Sequence, residues 1–299
     1  MLTSAQANPD GHLAMPTQAA DDYARTVMTW AQQDCCGMEV HKNIAYGRDR
    51  LQRYDVYVPP VGSQAQAGMP VVVFWHGGGW TNGYRDYNAF MARQLTAMRC
   101  LLVSPSYRLV GHAKLPAAFD DSLAAIAHVC QTIARYGGDP SRLYLGGHSA
   151  GGHLAALAAL RPLDAARCGV PATAIKGCLP ISGIMDLHHP APNPGSLEER
   201  VYSMVLSDPL MDAVMSPICW TRGNRIPFDL SFGQADSQRV QTSNRRLAEL
   251  LKLQDAPVTL SVRDGQDHFS AHTSLRDAAH PWYEALKTMI KNDDQSSRQ

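Results

Sequence analysis

A serine flanked by glycines is the first feature of this chain that could perform chemistry. Gly147, Ser149 and Gly151 form the pattern G-x-S-x-G between an apolar run that ends at Leu145 and an alanine-rich stretch. In a tight strand-to-helix turn, the serine hydroxyl stands above the sheet edge, and glycines leave room for close backbone approach. The helix that follows directs its first free N–H groups, including that of Ala150, at charge developing beside the serine. The pattern predicts a nucleophilic serine in a nucleophile elbow, although alone it also fits a glycine-rich turn without function.

A second glycine-rich loop follows an earlier apolar run. Residues 70–75 are mostly β-branched and aromatic, which is typical of a strand buried on both faces, and His-Gly-Gly-Gly-Trp follows at 76–80. Such a loop can present backbone N–H groups to an oxyanion. We therefore predict oxyanion contacts from Gly78 and Gly79 together with the elbow N–H. Trp80 and Tyr84 are predicted to bind substrate, with Tyr87 as a further candidate; packing beneath a lid is the alternative.

A serine hydroxyl needs a neighbouring base, and the base needs a carboxylate to orient it. In this architecture the acid and then the histidine follow the serine along the chain. His268 lies in the loop after the last predicted strand, and His272 is its nearest rival. Asp236 follows the preceding strand, with Asp186 as the main alternative. The predicted triad is therefore Ser149, Asp236 and His268.

The surrounding elements alternate between apolar strands and amphipathic helices, which predicts a mostly parallel, doubly wound α/β sheet flanked by helices. We predict one domain over 1–299, with a loose N-terminal arm at 1–20 and a small lid insertion at 186–224 that is rich in proline and methionine. A helix is expected over 23–33, capped by Asp21 or Asp22, and another over 87–98. Ligands of such sheets bind beyond the carboxyl ends of the strands, where both glycine-rich loops lie.

Composition excludes several other classes of protein. Apolar residues make up 45% and charged residues 18% of the chain, and 27 basic residues balance 27 acidic ones. No excess charge favours nucleic acid or an anionic membrane, and we expect neither a transmembrane helix nor a secretory signal from the sequence. Seven cysteines without paired spacing favour a reducing compartment, hence the cytoplasm. The chain has no metal-ligand spacing and no G-x-G-x-x-G, so no metal or cofactor is expected.

Taken together, these motifs resemble the α/β-hydrolase superfamily, in the esterase and lipase branch that carries an HGGG loop, and are most similar to kynurenine formamidases (arylformamidases). The resemblance covers roughly residues 50–290 and rests on the elbow helix, the Ser-Gly-Ile-Met-Asp stretch at 182–186, Met-Ser-Pro at 215–217, and the loops around Asp236 and His268. It implies an α/β-hydrolase fold with the same triad. The formamidase loop is usually His-Gly-Gly-Tyr-Trp, whereas Gly79 here gives the form of general esterases.

Two activities follow from this resemblance. The first is hydrolysis of an aryl formamide such as N-formylkynurenine, and the second is a carboxylesterase activity on short-chain or aryl, feruloyl-like esters. The third possibility is a binding protein that has the hydrolase fold but no activity. It is remote, because such proteins usually lose the serine or the histidine and this chain keeps both. The expected partner is a small-molecule ester or formamide, without nucleic acid or membrane, and the chain could form a homodimer.

Overall fold

The computed structural model describes residues 15–60 and 68–296. Within them, eight strands form one sheet in the order β1-β2-β4-β3-β5-β6-β7-β8. The strands are β1 (Glu39–Ala45), β2 (Arg53–Val58), β3 (Met69–Trp75), β4 (Leu101–Pro105), β5 (Gly138–His148), β6 (Ile175–Ile181), β7 (Phe228–Gly233) and β8 (Val258–Arg263). Strands β1 and β2 run antiparallel to their neighbours, and all pairs from β4 onward are parallel. The predicted mostly parallel sheet is confirmed.

Helices cover both faces of this sheet. They are α1 (Gln18–Asp34), α2 (Ala92–Ala97), α3 (Ala117–Thr132), α4 (Ala150–Leu160), α5 (Pro162–Arg167), α6 (Leu197–Arg200), α7 (Gln238–Leu251), α8 (Ser270–Thr273) and α9 (Pro281–Ser296). Val71 and Val73 of β3 join a core shared with α3, α4 and α7. Val72 and Phe74 point the other way, into a core shared with α1, α2 and α9. Because side chains alternate along a strand, a strand with a core on each face must be apolar throughout.

The N-terminal part of the chain differs from the prediction. Helix α1 begins at Gln18 rather than near Tyr23, because Thr17 is its N-cap and its hydroxyl accepts a hydrogen bond from the backbone N–H of Ala20. The predicted cap residues Asp21 and Asp22 therefore lie inside the helix. Most of the predicted loose arm, residues 1–14, lies outside the described residues. Its last residues, 18–20, are helical, so that part of the prediction is wrong.

Two further segments are less regular than ordinary helices. The stretch predicted as a helix over 87–98 is a 3₁₀ turn, Arg85–Met91, followed by α2. Residues 186–224, hereafter the lid segment, contain α6, a π turn at Val201–Val205 and 3₁₀ turns at Pro209–Met211 and Pro217–Trp220. In the described part of the chain, no helix is both long and apolar enough to cross a membrane.

Candidate active site

The nucleophile elbow joins β5 to α4 through a strained residue. Ser149 has φ 55° and ψ −118°, a conformation that L-residues adopt only where the surrounding structure imposes it. A Cβ on Gly147 would lie 2.4 Å from the backbone of Gly151, and one on Gly151 would lie 2.2 Å from the Trp75 carbonyl oxygen. Both glycines are therefore required by backbone contact, which confirms the reason predicted for them.

The structure brings the three predicted triad residues together. The Oγ of Ser149 lies 2.9 Å from Nε2 of His268. On the other side of the ring, Nδ1 lies 2.9 Å from Oδ1 and 3.2 Å from Oδ2 of Asp236. A carboxylate can only accept a hydrogen bond, so Nδ1 carries the proton and Nε2 is left to accept the serine proton. This is the arrangement that general-base activation of a serine requires.

The rival residues have other partners. Asp186 accepts a hydrogen bond at 2.6 Å from Arg246. His272 is fully buried, and its Nδ1 lies 2.8 Å from the Tyr23 hydroxyl. The geometry therefore selects Asp236 and His268 from the alternatives that the sequence left open.

The environment of Asp236 keeps it ionised. Its side chain is fully buried, and burial by itself raises the pKa of a carboxyl group. The hydrogen bond and the positive charge of His268, together with the backbone N–H of Ser237, outweigh burial and lower the pKa of Asp236 below its usual range. A carboxylate at this position stabilises the imidazolium that forms when the histidine accepts a proton.

The residues predicted to stabilise the oxyanion lie close to Ser149 in the cavity or in the chain. Gly78 and Gly79 line the cavity beside Ser149, and Ala150 is the first residue of α4. Among the described residues, none accepts a hydrogen bond from the backbone N–H of Gly78, Gly79 or Ala150. Gly78 has φ 119°, and a Cβ there would lie 2.1 Å from the Asn82 carbonyl oxygen. Only glycine therefore fits at position 78 of the loop. Backbone N–H groups without an acceptor, such as those of Gly78 and Gly79, can stabilise an oxyanion.

A cavity of about 290 Å³ opens beside Ser149. Residues from the N-terminal segment, both glycine-rich loops, the lid segment and the loops of Asp236 and His268 form its walls. Trp80 lines it, and its contact with substrate stays a prediction. Tyr84 is not among the described residues that line the cavity, and its ring instead contacts the edge of Tyr87, which does line it. The prediction for Tyr84 is corrected accordingly.

Sequence reasoning gave no role to Tyr23 of α1. This buried side chain lines the cavity and places its hydroxyl between His272, at 2.8 Å, and Nδ1 of His148, at 3.4 Å. His148 donates from Nε2 to the backbone carbonyl of His268 at 2.8 Å. This chain of contacts holds the loop of the catalytic histidine from behind. Nothing local in the sequence around Tyr23 indicates such a role, since its partners lie more than a hundred residues away.

His153 has a structural contact with the lid segment. Its Nε2 donates to the backbone carbonyl of Met215 at 2.6 Å, and burial lowers its pKa to about 4. The ring therefore points away from Ser149, as expected for a residue one turn into the helix. Within residues 15–60 and 68–296, no group of three or more histidine, cysteine or acidic side chains could hold a metal ion.

Comparison with known proteins agrees with this geometry. Residues 54–251, about two thirds of the chain, match the BD-FAE family. The chain belongs to the BD-FAE family. The match begins at β2 and ends at the last residue of α7, so it includes the oxyanion loop, the elbow and Asp236 but stops before His268.

The curated relatives of this BD-FAE protein are esterases. It is 43% identical over 105 residues to carboxylesterase NlhH of Mycobacterium tuberculosis, covering 35% of this chain and 32% of that protein. It is 37% identical over 118 residues to a probable isoprenylcysteine alpha-carbonyl methylesterase of Oryza sativa subsp. japonica, covering 40% and 27%. The matched part thus spans about a third or less of these relatives' length.

A solved structure shows the same fold over nearly the whole chain. Esterase B from Lactobacillus rhamnosis superposes with a TM-score of 0.75 at 20% identity and covers 93% of this chain and 97% of that one. At this level of identity the likeness establishes the α/β-hydrolase fold.

Proposed function

We propose that this BD-FAE protein is a serine hydrolase that cleaves carboxylic esters through an acyl-enzyme. The observation that carries the proposal is the 2.9 Å contact between Ser149 Oγ and His268 Nε2, with Asp236 on the opposite ring nitrogen. The unoccupied N–H groups of the oxyanion loop and the esterase relatives support it. An ester fits these relatives better than the aryl formamide that the sequence resemblance predicts.

Acylation follows from the geometry. Ser149 attacks the carbonyl carbon while His268 Nε2 accepts the hydroxyl proton, and Asp236 stabilises the resulting imidazolium. Negative charge moves to the carbonyl oxygen, where the backbone N–H groups of Gly78, Gly79 and Ala150 stabilise it. His268 then donates its proton to the leaving oxygen, and the C–O bond of the ester breaks.

Deacylation uses the same groups with water as the nucleophile. His268 accepts a proton from a water molecule, the hydroxide attacks the acyl carbon, and the oxyanion forms again at the same donors. The imidazolium returns its proton to Ser149 Oγ as the acid product leaves. Each proton and electron pair is accounted for by these residues and water.

Aryl formamide hydrolysis remains a prediction from the sequence. The same triad would serve it, with an amide nitrogen as the leaving atom in place of the ester oxygen. Trp80 and Tyr87 supply aromatic walls against which either an aryl ester or an aryl formamide could pack.

We also propose a reducing, cytoplasmic location. All seven cysteines lie in the described residues and are unpaired, including the adjacent Cys35 and Cys36. Free thiols on exposed positions such as Cys168 and Cys219 are typical of compartments that keep thiols reduced.

The deciding experiment measures kcat/KM on p-nitrophenyl acetate, p-nitrophenyl butyrate and N-formylkynurenine, with the Ser149→Ala variant beside the wild type. Ester turnover that the substitution abolishes would establish the esterase. A strong preference for N-formylkynurenine would establish an arylformamidase instead. Absence of turnover on all three substrates by a folded wild-type protein would contradict the proposal.

A further inference from the structure

One arginine in the cavity wall has hydrogen-bond donors without acceptors. Arg239 lies on α7, three residues after Asp236, and lines the cavity. Its side chain is 7% exposed. Among the described residues, none accepts a hydrogen bond from its Nε or Nη2, both of which are enclosed. A buried cation is costly unless it is paired and hydrogen-bonded, so this guanidinium is incompletely satisfied.

The nearest carboxylate is too far away to form a hydrogen bond. Glu198 in the lid segment places Oε1 3.8 Å from Nε of Arg239, beyond hydrogen-bond distance. Asp186 is also in the vicinity, but its carboxylate accepts a hydrogen bond from Arg246. Burial lowers the pKa of Arg239, and the charges of Glu198 and Asp186 oppose that effect. An arginine nevertheless stays protonated at neutral pH, so the positive charge persists.

The other charged groups in the cavity wall also favour a bound anion. Arg200 lines the same cavity, and the carboxylate of Asp236 is hydrogen-bonded to His268. Much of the other lining is apolar, including Trp80, Val201 and Val205. In such surroundings a carboxylate gains both Coulombic attraction and charge-assisted hydrogen bonds. The guanidinium of Arg239 lines the cavity, so it can meet a ligand bound there.

We propose that Arg239 recognises a carboxylate on the substrate, so that the preferred substrates carry an anionic group on the acyl or the leaving side of the scissile bond. This inference rests on the proposed function, because it names the substrate class of the same site. Arg239 takes no part in bond cleavage. It determines specificity by fixing one end of the substrate while the scissile carbonyl lies at Ser149, and a planar guanidinium suits a carboxylate in that role.

Two matched substrate pairs test the proposal with the wild-type protein alone. The first pair places the carboxylate on the acyl side, mono-p-nitrophenyl glutarate against p-nitrophenyl butyrate. The second places it on the leaving side, 3-acetoxybenzoate against phenyl acetate. We expect kcat/KM to favour the anionic member of one pair by about tenfold or more, as for a charge-assisted hydrogen bond. The pair that responds identifies the side that faces Arg239, and no preference in either pair overturns the proposal.

Variants then assign the preference to this residue. Arg239→Gln should reduce the ratio of anionic to neutral kcat/KM by about 10- to 100-fold, while Arg239→Lys should retain part of it. Arg245→Gln is the matched control, since Arg245 is exposed on the same helix and is not among the described residues that line the cavity; its ratio should stay that of the wild type. A reduction of both members of a pair to the same extent in Arg239→Gln would show a structural role and overturn the proposal.

A Glu198→Gln variant distinguishes recognition of the substrate by Arg239 from a role of Arg239 in holding the lid segment. If Arg239 only held the lid through Glu198, Glu198→Gln and Arg239→Gln would change the ratio in the same direction. We expect the opposite, because Glu198→Gln removes a competing negative charge and should raise the ratio. Failure of the proposed function looks different: the neutral esters would then show no turnover that depends on Ser149.

Discussion

The cavity has two walls that the chain builds in different ways. The inner wall consists of loops at the carboxyl ends of strands and contains Gly78, Gly79, Ser149, Asp236 and His268. The outer wall consists of residues 15–17 and the lid residues 197–205 that line the cavity. Positions in the inner wall are fixed by backbone contact and buried hydrogen bonds. The outer wall includes side chains as exposed as Leu197, at 57%.

This difference indicates that the inner wall carries out catalysis and that the outer wall contributes to substrate selection. Groups that act in the transition state must be held in place before the substrate arrives, and the strained elbow and buried Asp236 meet that requirement. Groups that select a substrate can vary most easily where few core contacts depend on them, as at the exposed Leu197, whereas Val201 and Val205 of the same wall belong to the core. Substitutions in the inner wall should therefore affect kcat or folding, and those in the outer wall should affect KM.

The largest effect in this comparison of the two walls is expected at the acid. Asp236→Asn should lower kcat about 10³- to 10⁴-fold, because an amide can donate to Nδ1 and so favours the wrong tautomer of His268. The control is Asp186→Asn, since Asp186 is bound to Arg246; its kcat should stay within a few-fold of wild type. Steady-state kinetics on p-nitrophenyl butyrate measure kcat for both variants. A larger loss of kcat in Asp186→Asn than in Asp236→Asn would show that Asp236 is not the acid of the triad.

A glycine substitution probes the backbone contacts of the inner wall. Gly151→Ala should lower the free energy of unfolding by about 3 kcal/mol or more, because its Cβ would lie 2.2 Å and 2.5 Å from two carbonyl oxygens. Gly169→Ala is the control, with φ 88° and no atom within 4 Å of the new Cβ, and should cost about 1 kcal/mol. Urea denaturation measures both, and equal costs would refute the contact-based account.

A lid substitution probes the outer wall. Leu197→Ser should raise KM for p-nitrophenyl hexanoate several-fold with little effect on stability, since it removes an exposed apolar side chain from the cavity wall. Leu210→Ser serves as control, because Leu210 lies in the same segment, is 84% exposed and is not among the described lining residues. If Leu197→Ser changes kcat and leaves KM unaltered, the division between the two walls fails.

The last prediction concerns the buried histidines behind the inner wall. Burial lowers the pKa of His272 to about 3, below the value of about 6.5 in an unfolded chain. Between these values the unfolded state binds a proton that the folded state does not, so the free energy of unfolding falls as pH drops from 6.5 toward 3. The slope is about 1.4 kcal/mol per pH unit for each such histidine. Asp236 adds nothing between pH 5 and 7, because its pKa lies below that window in both states.

Urea denaturation at intervals from pH 7 to pH 5 measures this slope. His272→Gln should lower the slope by the contribution of about one proton, whereas Leu210→Ser, which removes no titratable group, should leave it unchanged. An unaltered slope in His272→Gln would mean that the buried ring is protonated in the folded state as well.

The sequence allowed the inner wall to be predicted in detail, but neither the outer wall nor the two cavity residues Tyr23 and Arg239, which lie on α1 and α7. Ser149, Gly78 and Gly79 stand in local motifs whose meaning depends on a few neighbouring residues, and strand order placed Asp236 and His268 at one sheet edge. Tyr23 and Arg239 reach the cavity only through packing of distant segments, which no local pattern records. The position of Arg239 three residues after the acid was the available signal, but helix direction alone does not fix where a long side chain points.

The most direct test of the central claim is covalent labelling with a fluorophosphonate probe, followed by mapping of the labelled peptide. Stoichiometric labelling of Ser149, slowed about 10³-fold or more in His268→Ala and absent in Ser149→Ala, is the result that we predict. Labelling at another serine, or an equal rate in the folded His268→Ala variant, would show that the constellation of Ser149, His268 and Asp236 does not activate a nucleophile.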